Sequence, residues 1–109
     1  MRRFKLIEQF EHKGRTCVVI RSDILETSHN GYIQTKDNKH VDYDDYISKI
    51  ETDELTYSGD LSHFGIKDKF FVGFDSSHYW NTRATGSQTF ESVKDRTIKI
   101  CEEMVTQGI

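Results

Sequence analysis

Asp75 and His78 stand three residues apart in the stretch FFVGFDSSHYW, residues 70–80, where an apolar run breaks abruptly into polar and aromatic side chains. If the chain turns after Asp75, the two lie on one side of the turn, and a carboxylate with an imidazole is half of a ligand set for zinc or another divalent ion. If a strand continued, the odd spacing would send them to opposite faces. Two further ligands are needed. His40, with Asp42 two residues on, or His63 are the residues able to supply them. The metal reading therefore rests on Asp75, His78 and His40. The plainer reading makes Asp75 a turn cap that accepts backbone N–H bonds, with His78 bonded to a carbonyl.

Other chemistries find less support. Ser77 and His78 are sequence neighbours whose side chains diverge, and Gly73-Phe74-Asp75-Ser76-Ser77 is not a nucleophile elbow. Phosphate-cradling glycine motifs are absent, so no enzyme activity is expected. Tyr32, Tyr57, Tyr79 and Trp80 fall near loops, where rings stack on bases. A pocket lined by Tyr57, Asp75, His78 and Tyr79 would suit a nucleotide second messenger. The usual fate of such rings in a small domain is burial with the hydroxyl at the surface.

The chain has 109 residues, enough for one domain spanning 1–109. Fifteen Lys and Arg against 18 Asp and Glu give a net charge of −3, which excludes bulk affinity for nucleic acid. No apolar run approaches the roughly 20 residues of a spanning helix, and the basic start MRRFKLIEQFEH lacks the apolar core of a signal peptide. Cys17 and Cys101 are far apart with no CxxC pair, which argues against a disulfide scaffold and fits a reducing cytoplasm.

Charge is unevenly spread. Residues 1–22 carry six basic and two acidic side chains, whereas residues 42–60 carry seven acidic and one basic. Asp42, Asp44 and Asp45 suit a helix N-terminus. Glu51, Asp53, Glu54 and Asp60 have no such local role. A dense carboxylate array imitates a phosphate row and fits a protein's nucleic-acid groove. The expected partner-binding residues are Asp44, Asp45, Glu51, Asp53, Glu54, Tyr57, Tyr79 and Trp80, with Asp53 and Glu54 exposed enough to be reversed to Lys without harm to the fold.

The elements that position these groups follow from periodicity. Phe4, Leu6 and Phe10 partly alternate, HKGR turns, and TCVVIR returns as the second strand of a hairpin. Asn30-Gly31 reads as a turn before a strand at Tyr32–Thr35. Tyr43, Tyr46, Ile47 and Ile50 fall on one helical face, ELTYSG reads as a strand closed by Ser58-Gly59, and KFFVGFD is the strongest strand. In that strand Phe70, Val72 and Phe74 share one face, and Phe71, Gly73 and Asp75 the other. Phe90, Val93, Thr97, Ile100, Cys101 and Met104 trace a final helix from about Ser87 or Thr89 to Gln107, with Gly108 as its stop. The expected class is α+β: about five strands in an antiparallel or mixed sheet with two helices.

Gly31-Tyr32, Tyr43-Asp44-Asp45, Leu55-Thr56-Tyr57-Ser58 and Gly73-Phe74-Asp75 with His78 occur in an order that resembles a group of small bacteriophage and mobile-element proteins. The similarity runs from about residue 31 to the end. This chain has Glu54 where the group often has Gly. It has Ser76 where the group often has Cys, which removes a thiolate ligand. Tyr79-Trp80 replace a frequent Gly-Asp. The resemblance implies a phage or prophage origin and gives no activity; the expected location is the host cytoplasm.

Together these readings lead to an inhibitor of a bacterial defence system, of the anti-CRISPR kind, that binds an effector nuclease through an acidic and aromatic surface. The alternatives are a nucleotide sponge and a metal-binding protein or metal-dependent enzyme; a homo-oligomer stays open. Melting Asp75→Ala beside wild type, with and without chelator, separates turn cap from metal ligand. A cap is worth about 0.5–2 kcal/mol and is indifferent to chelator. A structural metal would make wild type collapse to the mutant's stability when chelated.

Overall fold

The structure is a computed structural model and describes residues 4–23, 28–46, 48–76 and 89–109. The first hairpin forms as its sequence dictates. β1 (Phe4–His12) and β2 (Arg15–Ser22) pair antiparallel around a two-residue turn whose Gly14 has φ 78°. β2 then pairs with β3 (Ser28–Gln34), and β3 with β5 (Ile66–Asp75). The chain between β3 and β5 crosses to the outer edge and returns as β4 (Tyr57–Leu61), which also pairs with β5. The order is β1-β2-β3-β5-β4, with every neighbouring pair antiparallel.

α1 (Phe90–Gln107) is the one α-helix among the described residues and packs on β2 and β3. Thr89 caps it, accepting the Ser92 N–H at 3.2 Å. Gly108 ends it at φ 73°, a left-handed conformation that glycine takes without a Cβ clash. The apolar stripe Val93, Thr97, Ile100, Cys101 and Met104 is fully buried. It meets Cys17, Val19, Ile33, Val72 and Phe74 on one sheet face. Val18, Ile20, Tyr32, Leu61, Ile66 and Phe71 form a second cluster on the opposite face. A sheet covered on both faces explains why β2 reads as a continuous apolar run rather than an alternation.

Three expectations are corrected. The second helix does not form among the described residues: 43–45 make a single 3-10 turn, and 46, 48 and 49 are turns. Tyr46 and Ile50 are nonetheless buried against α1's core face, which is what their spacing reported. Ile47 lies outside the described residues, as does Ser87. Asn30-Gly31 is no turn but the middle of β3, with Gly31 paired to Val19 and Phe74. A Cβ on Gly31 would overlap the Thr97 hydroxyl and press on the Phe74 ring, so this glycine serves the close approach of helix to sheet. The strand expected to close at Ser58-Gly59 instead runs on to Leu61.

Ile100 is wholly buried at the centre of the helix–sheet contact. Ile100→Ala should cost about 2–5 kcal/mol in denaturant unfolding. Gly31→Ala should be comparably damaging, because α1 must lift from the sheet. A change near zero for either would contradict this packing.

Candidate functional site

Tyr46 and residues 48–56 form a strap along α1 that runs in the opposite direction to the helix. Its apolar side chains Tyr46, Ile50 and Leu55 turn inward. Its backbone is held by one row of helix side chains. Gln107 donates to the Lys49 carbonyl at 2.5 Å, and the Glu103 carboxylate accepts the N–H groups of Glu51 and Thr52 at 2.9 and 3.4 Å. Arg96 forms an ion pair with Asp53, and its guanidinium lies 5.3 Å over the Phe74 ring. At the far end the Thr56 N–H reaches the Gly73 carbonyl at 2.8 Å, tying the strap to the sheet.

This arrangement divides the acidic residues into two kinds. Asp42 caps the 3-10 turn by accepting the Asp44 N–H at 3.0 Å. Asp60 accepts from the backbone and hydroxyl of Ser62. Asp53 is 6% exposed and Arg96 14%, so this carboxylate is an internal tie. That corrects the expectation of a freely reversible surface charge: Lys at 53 would set two cations together in a nearly dry site. Asp44, Asp45, Glu51 and Glu54 remain exposed. These four form the acidic display.

The aromatic and metal candidates sit elsewhere. Tyr57 lies opposite Gly73, on the face that ends in Asp75, but its hydroxyl reaches the other way, toward Asp60. The Tyr57 ring is engaged, meeting Tyr32 edge to face at 5.4 Å, and its hydroxyl donates to the Asp60 carbonyl at 2.5 Å. Burial raises its pKa, with Asp60 adding to the effect. Burial also pushes Tyr32 up to about 12, opposed by Asn30 and helped by Tyr57 and Asp75. A Cβ at Gly73 would overlap the Tyr32 ring. That ring is the close neighbour for which the sequence left room.

His40 is exposed and lies 5.3 Å from the Phe70 ring. Phe70 precedes Asp75 by five strand residues, roughly 17 Å of chain. His63 sits in the turn before β5, farther still. Neither is brought to Asp75, and no group of three His, Cys, Asp or Glu side chains suited to a metal occurs among the described residues. His78, Tyr79 and Trp80 lie outside the described residues. No described helix is long and apolar enough to cross a membrane.

Reasoning from sequence missed Arg96, Glu103 and Gln107. Their signal was present: three polar residues spaced seven and four apart fall along one flank of a helix. Comparison with known protein families, curated proteins and solved structures gives no match.

Asp53→Ala should lower stability by about 3–5 kcal/mol, because it leaves the Arg96 charge nearly buried without its carboxylate. Glu54→Ala, one residue away and exposed, should stay within about 0.5 kcal/mol. Thermal melts of the two variants check the contrast. Equal small effects would show that Asp53 is a surface charge after all.

Proposed function

We propose that this is a non-enzymatic binding protein whose acidic strap occupies a basic, nucleic-acid-binding groove on a partner protein. The single observation that carries the reading is the strap itself. Glu51 and Glu54 are exposed on a segment whose backbone is bonded to Glu103 and Gln107 and anchored by Asp53, and Asp44 and Asp45 are exposed on the 3-10 turn that leads into it. Carboxylates on a fixed backbone bind a cationic groove without first losing chain freedom, which favours affinity. Their clustered charge also speeds encounter with a basic surface.

The resemblance to small phage and mobile-element proteins supports a finer reading. The partner is then an RNA-guided effector nuclease of a bacterial defence system, met in the host cytoplasm, and the strap blocks nucleic-acid loading. The nucleotide-sponge reading gains no comparable support, since Tyr57 already spends its ring and hydroxyl within the fold.

The test uses cells in which such a nuclease destroys a targeted plasmid. Expression of the wild-type protein should restore plasmid maintenance. The variant Asp44→Lys, Asp45→Lys, Glu51→Lys, Glu54→Lys should melt near wild type yet fail to restore it. A folded variant that protects as well as wild type would remove the acidic strap from the mechanism. Loss of the plasmid despite wild-type protein would count against the nuclease as partner.

A further inference from the structure

Cys17 on β2 and Cys101 on α1, the chain's two cysteines, come from opposite ends of the sequence and meet in the core. Both are fully buried and both are free thiols. Their sulfurs converge on neighbouring carbonyls at the closed end of the β1–β2 hairpin, where His12 pairs with Arg15. Cys101 Sγ lies 3.3 Å from the His12 carbonyl, and Cys17 Sγ 3.9 Å from that of Arg15. Beside Cys101 the side chains of His12 and Glu102 meet, with His12 Nε2 3.0 Å from Glu102 Oε2 and both partly open to water. That contact joins a strand end to the outer flank of α1, so it opens without unpairing the sheet.

We propose that Cys17 and Cys101 are a modification site, forming a reversible intramolecular disulfide when the protein meets hydrogen peroxide. A molecule as small as peroxide enters where a bulky disulfide reagent would not. The hydrogen bond from Cys17, with His12 and Arg15 behind it, holds Cys101 down to about 7 against the opposing effect of burial. The same bond, then burial, raises Cys17. Cys101, whose sulfur lies against His12 at the partly open edge of the hairpin, is the attacking sulfur and Cys17 the resolving one.

The steps balance. The Cys101 thiolate attacks one peroxide oxygen, the O–O bond breaks, and the departing hydroxide takes a proton to become water. Cys101 is left as a sulfenic acid. The Cys17 sulfur then attacks the Cys101 sulfur, the S–O bond breaks, and hydroxide leaves with the Cys17 proton as a second water. Two thiols give up two electrons, and one peroxide becomes two waters. A dithiol reductant reverses the product by exchange. The bond locks α1 onto β2 and closes most of the chain into one loop, which restricts the unfolded state strongly. This inference stands apart from the acidic-strap reading.

The folded full-length protein is treated with hydrogen peroxide and examined by intact mass, peptide mapping and melting. Expected are a loss of two hydrogens, a linked pair of peptides carrying Cys17 and Cys101, and a Tm raised by about 10 °C that dithiothreitol returns to its starting value. Cys17→Ser, which keeps a hydroxyl beside Cys101 but cannot resolve it, should instead gain a single oxygen at Cys101 by intact mass and peptide mapping. Four results would each overturn the proposal: thiols that survive peroxide, oxygen adducts without a link, disulfide-joined dimers, or a link that forms only in denaturant.

Discussion

The ion pair between Asp53 and Arg96 is the contact on which the arrangement of strap, helix and sheet depends. Arg96 leaves α1, covers the Phe74 ring of β5 and meets the Asp53 carboxylate of the strap, so one side chain touches all three layers. Such a pair returns little net stability, because both charges give up water to form it. Its force lies in registration. Sliding the strap by one residue would bury a cation without its counter-ion, which is far costlier than a lost surface contact. The Glu103 and Gln107 bonds to the strap backbone then fall into place along the same helix flank.

Registration of that kind needs a helix at a fixed height above the sheet, and Gly31 sets that height. With no Cβ at this point, Thr97 comes down onto β3, and its hydroxyl is satisfied within the helix by the Val93 carbonyl at 2.7 Å. Gly73 plays the matching part on the opposite face, where Tyr32 lies across it and meets Tyr57. Two bare positions in neighbouring strands thus serve the packing on the two faces of the sheet, Gly31 under α1 and Gly73 under the Tyr32 ring. The Asp53 side chain can reach Arg96 only because the first of them lets α1 sit close.

Much of this was legible in residue order. The β1–β2 hairpin, β5 and α1 with its Thr89 and Gly108 caps follow from alternation, β-branching and helical spacing, which are local signals. The segment around Tyr43–Ile50 misled because apolar periodicity reports which side chains are buried, and Tyr46 and Ile50 are buried without a helix. Gly31 misled because a glycine looks the same whether it is needed for a positive φ or for a missing Cβ. Asp53 was misplaced among the surface charges because its partner lies more than forty residues away, a distance no local pattern spans. The cysteine pair was dismissed for the same reason: separation in sequence says nothing about separation across a helix–sheet interface.

An acidic surface is common, and an acidic surface held still is less so. Unbonded carboxylates on a loose segment would be only solvating charge, whereas a strap bonded to α1 at Lys49, Glu51, Thr52 and Asp53 offers a partner one preset pattern. Amide hydrogen exchange across residues 46–56 tests this most directly. The N–H groups of Glu51, Thr52 and Thr56, bonded to Glu103 and to the Gly73 carbonyl, should exchange far more slowly than an unstructured peptide of the same sequence. Exchange at the free-peptide rate throughout the strap would contradict the pinned display and the function drawn from it.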